Sequence, residues 1–117
     1  MKLLLRSVAV GLLAIWLAAC SSGASASPVA TNQVDLPKSY KFAPANITVP
    51  VGTTVTWTNN DEFTHSVRLL DDGGKIMIMK PGESVSFTFD KVGTHNYDCS
   101  FHPQNMKGSV IVTAAGG

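Results

Sequence analysis

Alternating apolar and polar positions predict two half-buried β-strands. In residues 53–59, Val55 and Trp57 fall on one side of an extended chain and three threonines fall on the other. Residues 84–89 repeat the pattern with three apolar side chains on one face, namely Val85, Phe87 and Phe89. A period of two is typical of a strand that buries one face, so both stretches are expected to be strands of this kind.

Shorter apolar runs between turn residues predict the remaining strands. They cover one first strand region made of residues 34–36 and 39–42, followed by residues 46–49, 65–70, 76–79, 94–99 and 109–113. Pro and Gly separate them at two turns, and Asp71-Asp72-Gly73-Gly74 suits a tight reversal with positive φ. The chain has no amphipathic helical stretch. It therefore predicts an all-β fold, an antiparallel Greek-key β-sandwich of seven to eight strands.

The N-terminal segment predicts export. Residues 1–6 are short and basic, and residues 7–19 form an apolar region of 13 positions. A transmembrane helix needs about 20 apolar residues, so this region fits a signal peptide better.

A lipid anchor is expected to follow the signal peptide. Leu17-Ala18-Ala19-Cys20 resembles the lipobox of bacterial lipoproteins, in which the Cys is acylated and becomes the mature N-terminus. We predict a signal peptide over residues 1–19, a lipidated Cys20 with a flexible linker over residues 20–33, and one domain over residues 34–117. An ordinary cleavage site with an incidental Cys is the alternative. Either way the protein is expected in the bacterial cell envelope.

The near-neutral charge of the chain argues against nucleic acid as a partner. The chain of 117 residues has nine basic and eight acidic residues, a formal net charge of +1. It lacks the basic patch that nucleic-acid binding requires. A near-neutral surface favours brief encounters over strong electrostatic steering, and we expect a monomer.

The two cysteines are expected to differ in their chemistry. A pair of Cys in an exported chain ordinarily suggests a disulfide. If Cys20 carries lipid, Cys99 has no partner, and a thiol in an oxidising compartment is a hazard unless a metal occupies it. A Cys20–Cys99 bridge is the competing interpretation, but residues 21–27 are small and polar and suit a flexible linker.

Three metal-binding groups lie within eight residues, at Cys99, His102 and Met106. Predicted strands on both sides place this loop at a sheet end, and His65 near another strand end adds a second imidazole. A thiolate, two imidazoles and a weak axial thioether form the ligand set of an electron-transfer copper site. We therefore predict one copper ion that cycles between Cu(I) and Cu(II).

Each ligand also has an alternative interpretation. Cys99 could be an inert buried thiol. Zinc also binds a Cys-His-His set, although Met is a poor zinc ligand. Met77 and Met79 are rival thioether donors, but they lie in a predicted strand and are expected in the core or beside the site. His95 is expected to be structural.

Four groups of residues occur in a characteristic order along the chain. They are Phe42-Ala43-Pro44, the stretch from Gly52 to Asp61, the turn and strand from Pro81 to Phe89, and the run from Gly93 to Cys99. Together they resemble the cupredoxin family of blue copper proteins from Tyr40 to Thr113. The resemblance implies a cupredoxin fold and a mononuclear type 1 copper site with these ligands: His65, Cys99, His102 and Met106.

The resemblance also implies roles around the metal. Ser66 and Asn60 are expected to support the ligands, although plastocyanin-like members usually carry Asn where this chain has Ser66. Three residues separate His102 from Met106, whereas other members have two or four, so a retuned axial bond is expected. Electrons would leave through an apolar patch that comprises His102, Phe63, Phe101 and Pro103.

The favoured function is a membrane-tethered one-electron carrier that meets redox protein partners transiently. A copper carrier or storage protein is one alternative, and exposed thioethers would favour it. A metal-free sandwich used for adhesion is another. Enzymatic activity is not expected, because His65, His95 and His102 cannot supply a second copper centre.

Overall fold

The computed structural model describes residues 27–115 of the protein, which fold into nine strands. These are β1 (Val29–Ala30), β2 (Gln33–Leu36), β3 (Asn46–Pro50), β4 (Thr53–Asn59), β5 (His65–Leu69), β6 (Lys75–Met79), β7 (Ser84–Phe89), β8 (Gly93–Asp98) and β9 (Lys107–Thr113). None of the described residues forms a helix long and apolar enough to cross a membrane.

The strands form two sheets that pack against each other. The larger sheet has the order β1-β3-β9-β8-β5-β6, and the smaller has the order β2-β4-β7. Large side chains from both sheets are fully buried in one core, among them Trp57 and Leu36 from the smaller sheet and Ile47 and Tyr97 from the larger. The predicted all-β sandwich is therefore confirmed.

The strand directions differ from the prediction of an antiparallel fold. The pairs β1–β3, β2–β4 and β3–β9 are parallel. Between β1 and β5 the chain alternates between the two sheets, so each strand returns to its own sheet in the original direction. A period of two predicts which face a strand buries but not which way its neighbour runs. The strand that was not predicted is β1. It has only two residues, which is too short to show a periodic pattern.

The predicted buried faces agree with the structure in the centre of the smaller sheet. Val55 and Trp57 of β4 are completely buried, and Phe89 at the end of β7 is buried with them. Val85 and Phe87 are only half-buried and pack against the core from outside. The difference arises because β7 is an edge strand, whereas β4 lies between two neighbours.

The predicted strand over residues 39–42 is wrong. A turn occupies this segment, with φ of +107° at Ser39 and +52° at Tyr40. Strands need negative φ, so the chain reverses here, and only Ala43 pairs with Asp35 as an isolated bridge.

Sheet structure begins earlier than the predicted domain boundary. β1 and the first residue of β2 lie in the segment 20–33, for which a flexible linker was expected. The predicted signal peptide and Cys20 lie outside the described residues.

His95 is buried and both of its ring nitrogens face acceptors. Nδ1 lies 2.9 Å from the Asp72 carboxylate, and Nε2 lies 2.7 Å from the Lys91 carbonyl oxygen. Burial is the largest influence and lowers the pKa of His95, but the hydrogen bonds to Asp72 and Lys91 together raise this pKa above its usual 6.5. A doubly protonated ring satisfies both acceptors, as expected for a structural residue.

The pKa of His95 predicts how stability depends on pH. Because the folded pKa exceeds the unfolded one, the charged ring stabilises the fold fully below about pH 6.5, and this contribution is lost as pH rises through the folded pKa. His95→Gln should remove the effect. The difference in free energy of unfolding between wild type and variant, measured by urea denaturation of copper-free protein, should shrink as pH rises. A difference that stays constant with pH would contradict the prediction.

Candidate metal centre

Three potential ligands converge at one end of the sandwich. His65 begins β5, Cys99 directly follows β8, and His102 lies in the loop between β8 and β9. The ligand atoms all lie within 4.8 Å of one another. Each imidazole presents Nδ1 to the Cys99 sulfur at 3.9 Å. His65 and Cys99 are buried, whereas His102 is partly exposed. One sulfur and two imidazole nitrogens around a common point fit copper in chemistry.

Backbone hydrogen bonds close the loop that carries Cys99, His102 and Met106. The amide of Cys99 donates to the carbonyl of Met106 at 3.1 Å, and the amide of His102 donates to the carbonyl of Cys99 at 3.0 Å. The amide of Met106 donates in turn to the carbonyl of His102 at 3.0 Å. These bonds turn His102 back toward Cys99. The loop's own backbone hydrogen bonds therefore set its geometry.

The thioethers are mostly buried. Met106 lies at the base of the loop with no exposed surface, and Met79 is equally buried in the core. Met77 is half-buried and packs against the core, as expected from its place in β6.

The register of β5 against β8 brings His65 to Cys99. Arg68 lies opposite Asp98 in this antiparallel pair, and its guanidinium donates two hydrogen bonds to that carboxylate, at 2.8 and 2.7 Å. Counting back from this pair, residues 66 and 100 face each other where β8 runs into the ligand loop. The bidentate geometry fixes the orientation as well as the contact.

Ser66 joins the two ligand segments at that point. The Ser100 amide donates to the Ser66 hydroxyl at 2.8 Å, and the two hydroxyls are 2.7 Å apart. The Ser66 amide donates to the Cys99 sulfur at 3.4 Å. The structure thus places Ser66 where a supporting role was expected.

Asn59, which the sequence analysis missed, organises the loop before His65, whereas the expected Asn60 does not contact the cluster. The buried amide of Asn59 donates to the carbonyls of Phe63 and Met79 at 2.8 and 3.0 Å and accepts from the Asp61 amide at 2.9 Å. Asn60 is exposed and bonds instead to Asp35. A buried Asn at the end of a predicted strand is the signal that could have revealed this role.

Asp61 is a second residue that the sequence analysis missed. Its carboxylate lies 2.8 Å from Nε2 of His65 and also accepts from the Glu62 amide at 2.7 Å. The hydrogen bond to His65 is the largest influence and holds the pKa of Asp61 below its usual value.

Aromatic rings surround the exposed side of the cluster. Phe63 and Phe101 are about half exposed. Tyr40, which was predicted to lie in a strand, stacks on Phe63 with ring centroids 5.5 Å apart. Its ring also meets the rings of His102 and His65 edge-on, at 4.7 and 5.7 Å. The positive-φ turn at residues 39 and 40 therefore places an aromatic side chain over both imidazoles.

An all-β sandwich with a thiol and two imidazoles converging at one end defines a copper-protein class, and sequence comparison agrees. The sequence pattern of the Cupredoxin-like domain matches residues 9–112. The chain belongs to the cupredoxin family.

Individual relatives agree with this assignment. The chain is 35% identical to plastocyanin of Scenedesmus fuscus over 83 residues, which cover 61% of this chain and 85% of that protein. It is 36% identical to amicyanin of Paracoccus denitrificans over 84 residues, 68% of this chain and 63% of amicyanin. A solved purple cupredoxin from Nitrosopumilus maritimus is 33% identical with a TM-score of 0.60, covering 69% of this chain and 98% of that one.

Family membership and the cluster together confirm the expected cofactor, one copper ion. The His65–Cys99–His102 cluster is the group within residues 27–115 that could hold it. A Cu(I) form of an amicyanin variant is among the similar solved structures, with a TM-score of 0.62 and 33% identity over 76% of this chain and 86% of that one.

Asn59 and Asn60 offer an adjacent pair for testing this arrangement. Asn59→Ala removes partners from the buried carbonyl of Met79, the part-buried carbonyl of Phe63 and the buried Asp61 amide. Since a buried polar group left unsatisfied costs about 1–3 kcal/mol, we expect clear destabilisation in urea denaturation. Asn60→Ala alters an exposed side chain and should cost less. If both variants lost the same free energy of unfolding, Asn59 would not organise the loop.

Proposed function

We propose that this protein is a mononuclear type 1 copper protein that carries single electrons in the bacterial cell envelope. The copper ligands are His65, Cys99 and His102, with Met106 as the axial thioether. The observation that carries the proposal is the approach of two Nδ1 atoms, from two separate segments, to one buried sulfur at 3.9 Å.

The surroundings of these residues suit electron transfer. Copper bound by two imidazoles, a thiolate and a thioether has ligands that suit both Cu(II) and Cu(I). The chain holds those ligands through the loop hydrogen bonds and the Ser66–Ser100 contact, so a change of oxidation state requires little rearrangement of the protein. A small rearrangement of the site between the two oxidation states favours rapid electron transfer.

The exposed side of the site offers a route for the electron. His102 is the partly exposed ligand, and the apolar rim around it consists of the aromatic rings of Tyr40, Phe63 and Phe101 together with Pro103. An exposed apolar patch of this kind favours contact with another protein. A transient redox partner would dock here, with His102 as the exit.

The structure gives little support to a copper carrier. That alternative calls for exposed thioethers, but Met79 and Met106 are fully buried and Met77 is half-buried. Copper exchange with a thiol chelator discriminates between the two functions: slow exchange fits an electron carrier, whereas rapid exchange fits a metal-transfer protein.

The copper site is tested by spectroscopy of the full chain purified in detergent. After addition of Cu(II), we expect an intense thiolate-to-copper absorption band and a matching electron paramagnetic resonance signal. The band should disappear with a mild reductant and return with an oxidant, and Cys99→Ala should lack it because the sulfur is gone. A colourless wild type, or copper binding that survives unchanged in Cys99→Ala, would reject the electron carrier and leave the copper carrier or the metal-free sandwich.

The lipid anchor is part of the same proposal and rests on residues 17–20. Several acyl chains on Cys20 would hold the protein on a membrane durably, with electrons passed along its surface. In cells given a labelled fatty acid, wild type should carry label and sediment with membranes. Cys20→Ala should do neither, while Ser21→Ala should behave as wild type. Unlabelled wild type would leave an exported carrier without an anchor.

A further inference from the structure

We propose that Asp61, which does not touch the metal position, is a positioning residue that favours the oxidised over the reduced state of the site through His65. This inference rests on the proposed function. The predicted set of copper ligands does not include a carboxylate, and none was expected beside His65.

The two nitrogens of His65 face opposite partners. Nδ1 faces the Cys99 sulfur, and Nε2 lies 2.8 Å from the Asp61 carboxylate. A carboxylate can only accept, so Nε2 must carry the proton of the pair and Nδ1 keeps a free lone pair directed at the metal position. A hydrogen-bonded carboxylate fixes the tautomer and makes the imidazole a stronger donor.

Asp61 is itself held in place. Its second oxygen accepts from the Glu62 amide, and its own amide donates to Asn59. Asn59 is bonded in turn to the carbonyl of Met79 in β6. The carboxylate is therefore anchored to the sheet and cannot turn toward water without breaking several bonds.

The charge of Asp61 acts in a water-poor environment. The side chains of His65 and Asp61 are 0% and 4% exposed. The nearby cation is Lys38, but it is paired with Glu62 at 2.9 Å and both side chains are more than 70% exposed, so solvent screens it. A buried negative charge behind one ligand stabilises the higher charge of Cu(II) more than that of Cu(I).

His102 lacks this support. Among residues 27–115, its side chain has the Cys99 sulfur as its polar neighbour and meets the rings of Tyr40 and His65, and no carboxylate bonds to it. The two imidazoles therefore have different roles. His65 is hydrogen-bonded to a buried charge, and His102 connects the site with the surface.

The decisive experiment compares Asp61→Asn with Glu62→Gln in the full chain. The two changes remove the same charge from adjacent residues, but Glu62 is exposed and does not touch His65. The dissociation constants for Cu(II) and Cu(I) are measured by chelator competition, and the reduction potential by spectroelectrochemistry. In Asp61→Asn we expect the ratio of the Cu(II) to the Cu(I) constant to rise about tenfold or more, with a higher potential. Glu62→Gln should change the ratio by less than about twofold.

A second readout needs no copper. Nitrogen NMR of the copper-free protein should show His65 protonated at Nε2 alone, and Asp61→Ala should give a mixture of both tautomers. A wild type protonated at Nδ1 would overturn the inference.

The outcomes separate the two proposals. If wild type never forms the thiolate-to-copper band, the proposed function fails, whatever the tautomer. If the band forms and cycles but Asp61→Asn and Glu62→Gln give the same ratio, the proposed function stands and Asp61 only braces the loop.

Discussion

The metal centre depends on the register between β5 and β8. Arg68 and Asp98 lock this register with two hydrogen bonds, and the strands then carry Ser66 to Ser100. A slip of one residue would turn every side chain of β5 to the other face, which would remove His65 from Cys99. A partly buried ion pair on the sheet thus helps to determine whether His65 meets Cys99.

The site has one closed side and one open side. On the closed side, Asn59 and Asp61 hold His65 against the sheet. On the open side, His102 meets Tyr40 and is partly exposed. This asymmetry restrains the imidazole of His65 from within and leaves the imidazole of His102 accessible from the surface.

Part of the fold and the clustering of His65, Cys99 and His102 could be predicted from the sequence. Burial of Val55 and Trp57 followed from alternation, and the cluster followed from the spacing of Cys99 and His102 together with His65. Strand direction could not be predicted, because it depends on which sheet each connection crosses to. Asp61 was missed because it acts through hydrogen bonds in a loop, which leave no periodic pattern. Asn59 ends β4 in phase with Val55 and Trp57, but alternation does not reveal which groups its side chain bonds.

The central place of β9 has a consequence for how the protein matures. β9 is the last of the described strands in chain order, yet it lies between β3 and β8 inside the larger sheet. Chains are synthesised from the N-terminus and domains fold as units, so this sheet cannot close until its final strand arrives. Until that moment Cys99 cannot be buried in the closed sheet, so its thiol is shielded only once β9 has been synthesised and paired.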